Sequence, residues 1–187
     1  MTDTSRPRRS VTVFAASSLD DHPEMVRATE HVVDECQQRD MSITFGGASV
    51  GLMGILAHRA RHRGVSTVGV IPEFLEDREP PSDWCDTVIR VQSMAERKRR
   101  LLATDALCVL PGGFGTLDEL FEAFTLKQLG QIQLPIALIN VDGYFDHMLS
   151  FVQSCENLGS VVLADRDLFR IFPSAGPAFA YLCRWAE

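Results

Sequence analysis

An α/β fold, a single-domain Rossmann-like parallel sheet with helices on both faces, is what this sequence predicts, and three observations lead to it. Short apolar runs alternate regularly with longer amphipathic stretches along the chain. Two of those runs enter a helix through glycine-rich turns, Phe45-Gly46-Gly47-Ala48-Ser49-Val50-Gly51-Leu52-Met53-Gly54 and Pro111-Gly112-Gly113-Phe114-Gly115-Thr116-Leu117-Asp118-Glu119. Neither a repeat nor a linker interrupts the alternation, so the strands belong to one sheet whose crossover helices cover both of its faces.

In chain order, residues 1–9 carry no apolar stretch and are expected to form a loose tail, leaving 10–187 as one domain. Val11–Ala15 reads as the first strand, Pro23–Arg39 as a helix, Ser42–Phe45 as a strand and Val50–Arg63 as a helix. Strand Thr67–Ile71 follows, then a proline- and acid-rich loop over 72–86, strand Thr87–Val91 and helix Met94–Ala103. Ala106-Leu107-Cys108-Val109-Leu110 is a buried strand, and Leu117, Leu120, Phe121, Phe124 and Leu129 recur at helical spacing beyond the second glycine turn, giving a helix from Thr116 to Gly130. Leu134–Asn140 is the next strand, Tyr144–Asn157 a helix and Pro177–Trp185 a closing helix.

Composition sets limits. A chain of 187 residues with 45% hydrophobic content suits one domain with a sizeable core. The net charge of −7 argues against broad nucleic-acid binding, while leaving room for a local basic pocket. No stretch approaches a membrane span, and the N-terminus lacks the apolar core of a signal peptide. Five cysteines, odd in number and without metal-ligand pairing, fit a reduced, cytoplasmic setting, with Cys108 in the core. None of the five histidines is read as having metal-ligand spacing with another, so no metal and no cofactor are expected; His22 is expected to cap a helix and His147 to lie on one.

The second glycine turn is the strongest chemical signal. Glycine allows backbone to approach an anion closely, and the unpaired N–H groups of the helix start point at the same spot, which suits a phosphate. The turn lacks the Lys-Ser/Thr ending of a P-loop and the spacing of a dinucleotide fingerprint, so kinase and dehydrogenase chemistry are not indicated. Glu119 has two readings: Thr116-x-x-Glu119 is a capping box, and it is also a carboxylate placed one turn beyond a phosphate loop. Ser93-Met94-Ala95-Glu96-Arg97-Lys98 likewise reads as a capped, solvated helix start or as the source of an arginine whose planar fork suits a phosphorylated ligand. Ligands in open α/β sheets sit beyond the carboxyl ends of the strands, where both glycine turns fall. At the first turn Gly51 and Gly54 can also serve helix–sheet packing, Gly54 above all.

Taken together, Gly46-Gly47-x-x-Val50-Gly51-Leu52-Met53-Gly54, Val70-Ile71-Pro72, Met94-x-x-Arg97-Lys98 and Pro111-Gly112-Gly113-x-Gly115-Thr116-x-x-Glu119 resemble the Lonely Guy family over about residues 10–160. Its members, often mislabelled lysine decarboxylases, hydrolyse cytokinin riboside 5′-monophosphates to free base and ribose 5-phosphate. The resemblance implies Arg97 and Glu119 as the catalytic pair. It implies substrate contacts from Gly112, Gly113, Phe114, Gly115, Thr116, Leu117 and Asp118, with Lys98, Glu79, Thr125, Gly46, Gly47, Ser17 and Met94. It also implies a homodimer or larger assembly, for which the helix from Thr116 to Gly130 offers apolar residues on more than one face. The chain departs from the family pattern at Ala95, at Ala15-Ala16-Ser17-Ser18 and at Thr125-Leu126-Lys127-Gln128, changes that bear on the base more than on the phosphate.

The expected reaction is hydrolysis of the N-glycosidic bond of a nucleoside 5′-monophosphate, with Glu119 facing the oxocarbenium-like ribose and orienting or activating water. Arg97 would bind the phosphate or aid departure of the base. A phosphoribohydrolase for another nucleotide, such as CMP or a modified biosynthetic intermediate, and a noncatalytic nucleotide-binding protein are the competing assignments. Lysine decarboxylation is disfavoured, because no lysine stands in a context that suggests a pyridoxal Schiff base.

Overall fold

The computed structural model describes residues 9–161 and 168–184. Seven strands, β1 (Ser10–Phe14), β2 (Ser42–Phe45), β3 (Thr67–Pro72), β4 (Thr87–Val91), β5 (Ala106–Val109), β6 (Ile136–Ile139) and β7 (Arg170–Phe172), form one sheet in the order β4-β3-β2-β1-β5-β6-β7. Every pairing in it is parallel. The chain steps outward from β1 to β4, returns to the far side of β1 as β5, and steps outward again. That reversal leaves a switch point between β1 and β5, in register from Val11 opposite Ala106 to Phe14 opposite Val109.

Strand side chains alternate between two cores, as the two-residue period of a sheet requires. Val11, Val13, Ala106 and Cys108 point to the side covered by α1 (Pro23–Gln38), α2 (Gly51–Arg63) and α6 (Ala175–Arg184). Phe14, Leu107 and Val109 point to the other, where α3 (Met94–Leu101) and α4 (Phe114–Gln128) supply Leu101, Leu120, Ala123 and Phe124. Helix α5 (Asp146–Asn157) packs outside this second core through Met148 and Leu149. Cys108 is fully buried, as expected, and its thiol is pushed far up by desolvation alone. No helix among the described residues is long and apolar enough to cross a membrane.

The strands and helices foreseen from sequence are present, with ends displaced by a few residues. One displacement changes the chemistry. Helix α4 begins at Phe114, with Gly113 as its N-cap and no side-chain cap, so Thr116 is its third residue and the Thr116-x-x-Glu119 capping box does not exist. The Ser93 cap of α3 does: the Glu96 N–H donates to Ser93 Oγ at 3.2 Å, and Glu96 Oε2 accepts from the Gln92 N–H, one residue before the cap, at 3.4 Å. His22 stands at the N-cap of α1 but makes no side-chain cap bond. Strand β7 went unforeseen, being three residues with an exposed Arg170 at a sheet edge. Of the N-terminal tail, residues 1–8 lie outside the described residues, as does Trp185 of the closing helix; Arg9 is held, its carbonyl accepting from the Ser42 N–H at 2.9 Å.

Candidate active site

A crevice of about 160 Å³ opens at the switch point. Its walls are the end of β1 with the turn that follows (Val13 to Ser18), Gly46 after β2, Met53 of α2, Glu79, Arg97 of α3, and Gly113, Phe114, Gly115, Thr116 and Glu119 of α4.

Arg97 is placed by its helix and by the sheet edge beneath it. Capping by Ser93 fixes the start of α3, and the neighbouring cations Arg99 and Arg100 stay exposed while Arg97, 7% exposed, turns inward. Its Nε–H donates to the Val70 carbonyl at 3.2 Å and its Nη2 to the Gly46 carbonyl at 3.3 Å. A guanidinium carries five N–H donors, so these two anchors orient it and leave three for a ligand.

Glu119, 9% exposed, comes up from the second turn of α4 with Oε1 4.0 Å from Arg97 Nε. At that separation the ion pair does not offset the loss of water. Burial pushes the Glu119 carboxyl up to about 7, against the lowering pull of Arg97 and Lys98 and with the help of the Asp118 and Glu79 charges. A carboxyl that titrates near neutrality inside a polar crevice is equipped to exchange protons.

The glycine turn of α4 is open toward the crevice. A Cβ placed on Gly113 or Gly115 would meet nothing of the protein within 4 Å, so nothing in the fold asks for glycine there. Gly112 is different: a Cβ would stand 2.2 Å from Thr116 Oγ1, and its carbonyl accepts from the Tyr144 hydroxyl at 3.0 Å, which ties the turn to the segment before α5. At the other turn Gly47 adopts φ +81° where β2 and β3 approach closely, a Cβ there lying 3.1 Å from the Gly69 backbone. The Gly47 carbonyl accepts from the Ser82 N–H at 2.9 Å and the Ser49 N–H donates to the Pro80 carbonyl at 2.8 Å. Those bonds pin the 73–86 loop over the turn and bring Glu79 to the crevice.

Of the residues singled out from sequence, the crevice gathers Arg97, Glu119, Glu79, Gly46, Ser17, Gly113, Phe114, Gly115 and Thr116. Gly47 and Gly112 lie behind it as supports. Lys98 turns to the outer face of α4, where Nζ meets Asp118 Oδ2 at 3.0 Å and pairs also with Glu122. Leu117 packs on the second core, Met94 is half-buried outside the lining, and the Thr125 hydroxyl donates to the Phe121 carbonyl at 2.8 Å, as an ordinary helix residue does. Ala15, Ala16 and Ser18, marked in the sequence only as a departure from the family pattern, also line the crevice because they directly follow β1 at the switch point, and Met53 of the first glycine motif reaches it from α2. The expectation that no two histidines share metal-ligand spacing is corrected by His58 and His62, which stand four apart on α2, away from the crevice, with their Nε2 atoms 3.1 Å apart.

A parallel sheet whose ligand crevice lies beyond its carboxyl edge at the point of strand reversal defines a Rossmann-like protein of the small-ligand-binding class. The chain matches the family described as "Possible lysine decarboxylase" over residues 53–182. It is 35% identical over 176 residues to the cytokinin riboside 5′-monophosphate phosphoribohydrolase LOG7 of Arabidopsis thaliana, an alignment that covers 94% of this chain and 81% of that one. It is 36% identical over 171 residues to the enzyme of the same description, LOG, from Oryza sativa subsp. japonica, covering 91% and 69%. The chain belongs to the family of these phosphoribohydrolases, the Lonely Guy family. Among solved structures it is similar to the molybdenum cofactor binding protein of Rippkaea orientalis (TM-score 0.74, 19% identity, 98% and 100% coverage). It is similar also to the Moco carrier protein of Chlamydomonas reinhardtii (TM-score 0.72, 20% identity, 96% and 98% coverage). At those identities the likeness is one of fold.

Proposed function

We propose that this protein is a nucleoside 5′-monophosphate phosphoribohydrolase, releasing the free base and ribose 5-phosphate from a cytokinin riboside 5′-monophosphate or an AMP-like nucleotide. The observation that carries this reading is the buried Arg97–Glu119 pair facing an unobstructed glycine turn in one crevice. Membership of a family whose curated relatives bear that activity in their names supports it.

In this reading the 5′-phosphate sits on the first-turn N–H groups of α4, from Gly113 to Thr116, where the helix dipole favours an anion. Its binding anchors the substrate and turns remote binding energy into positioning at C1′. Ionised Glu119 faces the positive charge that develops on the ribose and accepts a proton from the attacking water. The water oxygen bonds to C1′, the C1′–N bond breaks with its electron pair leaving on the base, and the proton held by Glu119 passes to that nitrogen. Arg97 helps keep Glu119 ionised in the complex and donates its free N–H groups to ligand oxygens. Glu79 faces the same charge from the opposite loop.

The active form in this reading is a homodimer or larger. Phe114 is 93% exposed at the mouth of the crevice, and Phe121 and Leu129 are exposed farther along α4. A second copy of the chain would cover that face. Sedimentation at micromolar concentration tests this, and a fully active monomer refutes it.

The deciding experiment for the reaction incubates the purified protein with AMP, N6-isopentenyl-AMP, CMP and the matching nucleosides, following base release by chromatography. Release from a monophosphate and not from its nucleoside is expected. Equal turnover of adenosine and AMP, or binding without release, overturns the assignment.

A further inference from the structure

His58 and His62 take no part in the chemistry above. They are four residues apart on α2, so their side chains leave one face of the helix a turn apart. Both residues are exposed, and their Nε2 atoms stand 3.1 Å from each other. The indole of Trp84, on the loop that carries Glu79, meets the His58 ring edge-on with centroids 5.2 Å apart and lies 6.1 Å from the His62 ring.

We propose that His58 and His62 form a chelating site for a divalent transition-metal ion of the Cu²⁺, Ni²⁺, Zn²⁺ class. With metal–imidazole bonds of about 2.0–2.1 Å, the 3.1 Å separation of the two Nε2 atoms corresponds to an angle at the metal of about 100°. That value lies between the right angle of square or octahedral coordination and the tetrahedral angle, so the rings need little movement to bind. In the metal-free protein the contact is a hydrogen bond, one Nε2–H donating to the other ring's lone pair. On metal binding that proton moves to Nδ1 of its own ring, both Nε2 lone pairs go to the ion, and both imidazoles stay neutral. The helix has already paired the ligands, and Trp84 walls the His58 ring, so little ordering is left to do on binding. Imidazole nitrogen selects borderline ions over Mg²⁺ and Ca²⁺, and within the class Cu²⁺ binds tighter than Ni²⁺. Among the described residues no group of three or more His, Cys, Asp or Glu could hold a metal ion. Water therefore fills the remaining positions, and the site is open and exchangeable, unlike a closed structural centre.

Trp84 is a built-in reporter, since a paramagnetic ion a few ångströms from the indole quenches its fluorescence. The test titrates Ni²⁺ into the tag-free full chain by calorimetry and by tryptophan emission; Ni²⁺ is used because Cu²⁺ would oxidise the free cysteines. Saturable one-to-one binding with quenching is expected. His58→Ala and His62→Ala should each weaken binding tenfold or more, and both positions are exposed, so circular dichroism should find the variants folded. Trp84→Phe should remove the quenching and keep the calorimetric binding, which separates Trp84 from Trp185. Wild-type Ni²⁺ affinity in both histidine variants would place the ion elsewhere, on a thiol for instance, and overturn the proposal. So would the absence of saturable binding to the native chain.

Discussion

A Cβ placed on Gly46 would stand 2.4 Å from Nη2 of Arg97 and 2.6 Å from Sδ of Met53. Gly46 is the absence of a side chain that lets the guanidinium lie across the end of β2 and donate to the carbonyl of the same residue. Its φ is not in the left-handed region, so alanine is tolerated by the backbone and excluded only by the arginine and the methionine. Gly46→Ala should therefore act as a displaced Arg97: kcat/KM down by about a hundredfold or more, the scale at which a misplaced catalytic group is felt, with a modest loss of stability. Steady-state kinetics beside Arg97→Ala check this. Near-normal turnover in Gly46→Ala would mean that the crevice does not need Arg97 where it stands.

Glu119 makes stability depend on pH in a direction opposite to that of an ordinary paired carboxylate. Its folded pKa is raised, from 4.5 to about 7, so the folded chain holds the proton more tightly than the unfolded one. The associated stability is complete below about pH 4.5 and is lost as pH rises through about 7. The full difference is on the order of 3 kcal/mol. Glu119→Gln removes this titration without removing side-chain volume. Urea denaturation at pH 5 and pH 8.5 should find the variant gaining stability relative to the native chain by roughly that amount across the interval, while its turnover is lost at both. A constant difference between the two proteins would show that the carboxyl titrates as if in water.

The same ionisation should appear in catalysis. If Glu119 must be ionised to take the proton from water, kcat/KM for AMP rises with pH through a midpoint near 7. The second ionisation of the substrate phosphate, about 6, lies lower and stays fixed across variants. A profile governed by the phosphate alone, unchanged when Lys98 or Glu79 is neutralised, would remove Glu119 from the role of base.

Lys98 follows Arg97 in the sequence, and a basic pair beside a phosphate loop reads as a binding pair. One helical residue is a rotation of about 100°, which sends Lys98 to Asp118 and Glu122 while Arg97 faces the crevice. Lys98→Met should leave the KM for a nucleotide within about threefold and cost no more than about 1 kcal/mol, as a mostly surface pair does. A tenfold rise in KM would show that the side chain leaves its carboxylates when ligand binds.

What the sequence revealed and what it hid divide along similar lines. The order of strands and helices was legible because period and apolar runs are local properties, and the glycine turns announced the carboxyl edge. Helix ends were less so. Thr116 and Glu119 have the spacing of a cap, but the extended Gly113 is the N-cap and the helix starts at Phe114, two residues before Thr116. Ala15 and Ala16 became lining residues only through the pairing of β1 with β5, which no local pattern encodes, and Met53 reaches the crevice from α2 beyond the first glycine turn. The His58–His62 pair was present as a four-residue spacing that the expectation of no metal-ligand spacing denied; the helix turns that spacing into a 3.1 Å separation of the two Nε2 atoms.

Gly115 separates what the fold needs from what the ligand needs. It is the second residue of α4, its Cβ would meet nothing of the protein within 4 Å, and it lines the crevice. Glycine inside a helix costs about 0.5–1 kcal/mol relative to alanine because the unfolded chain has more freedom to lose. Gly115→Ala should raise the melting temperature by a few degrees. The same methyl group occupies space beside the first-turn N–H groups, where the phosphate is placed, so KM for the nucleotide should rise tenfold or more while the fold tightens. Thermal melts and initial rates on one preparation test both halves. A variant that melts higher and keeps its KM would show that the phosphate does not sit against Gly115, and the substrate pose would have to be rebuilt around Arg97.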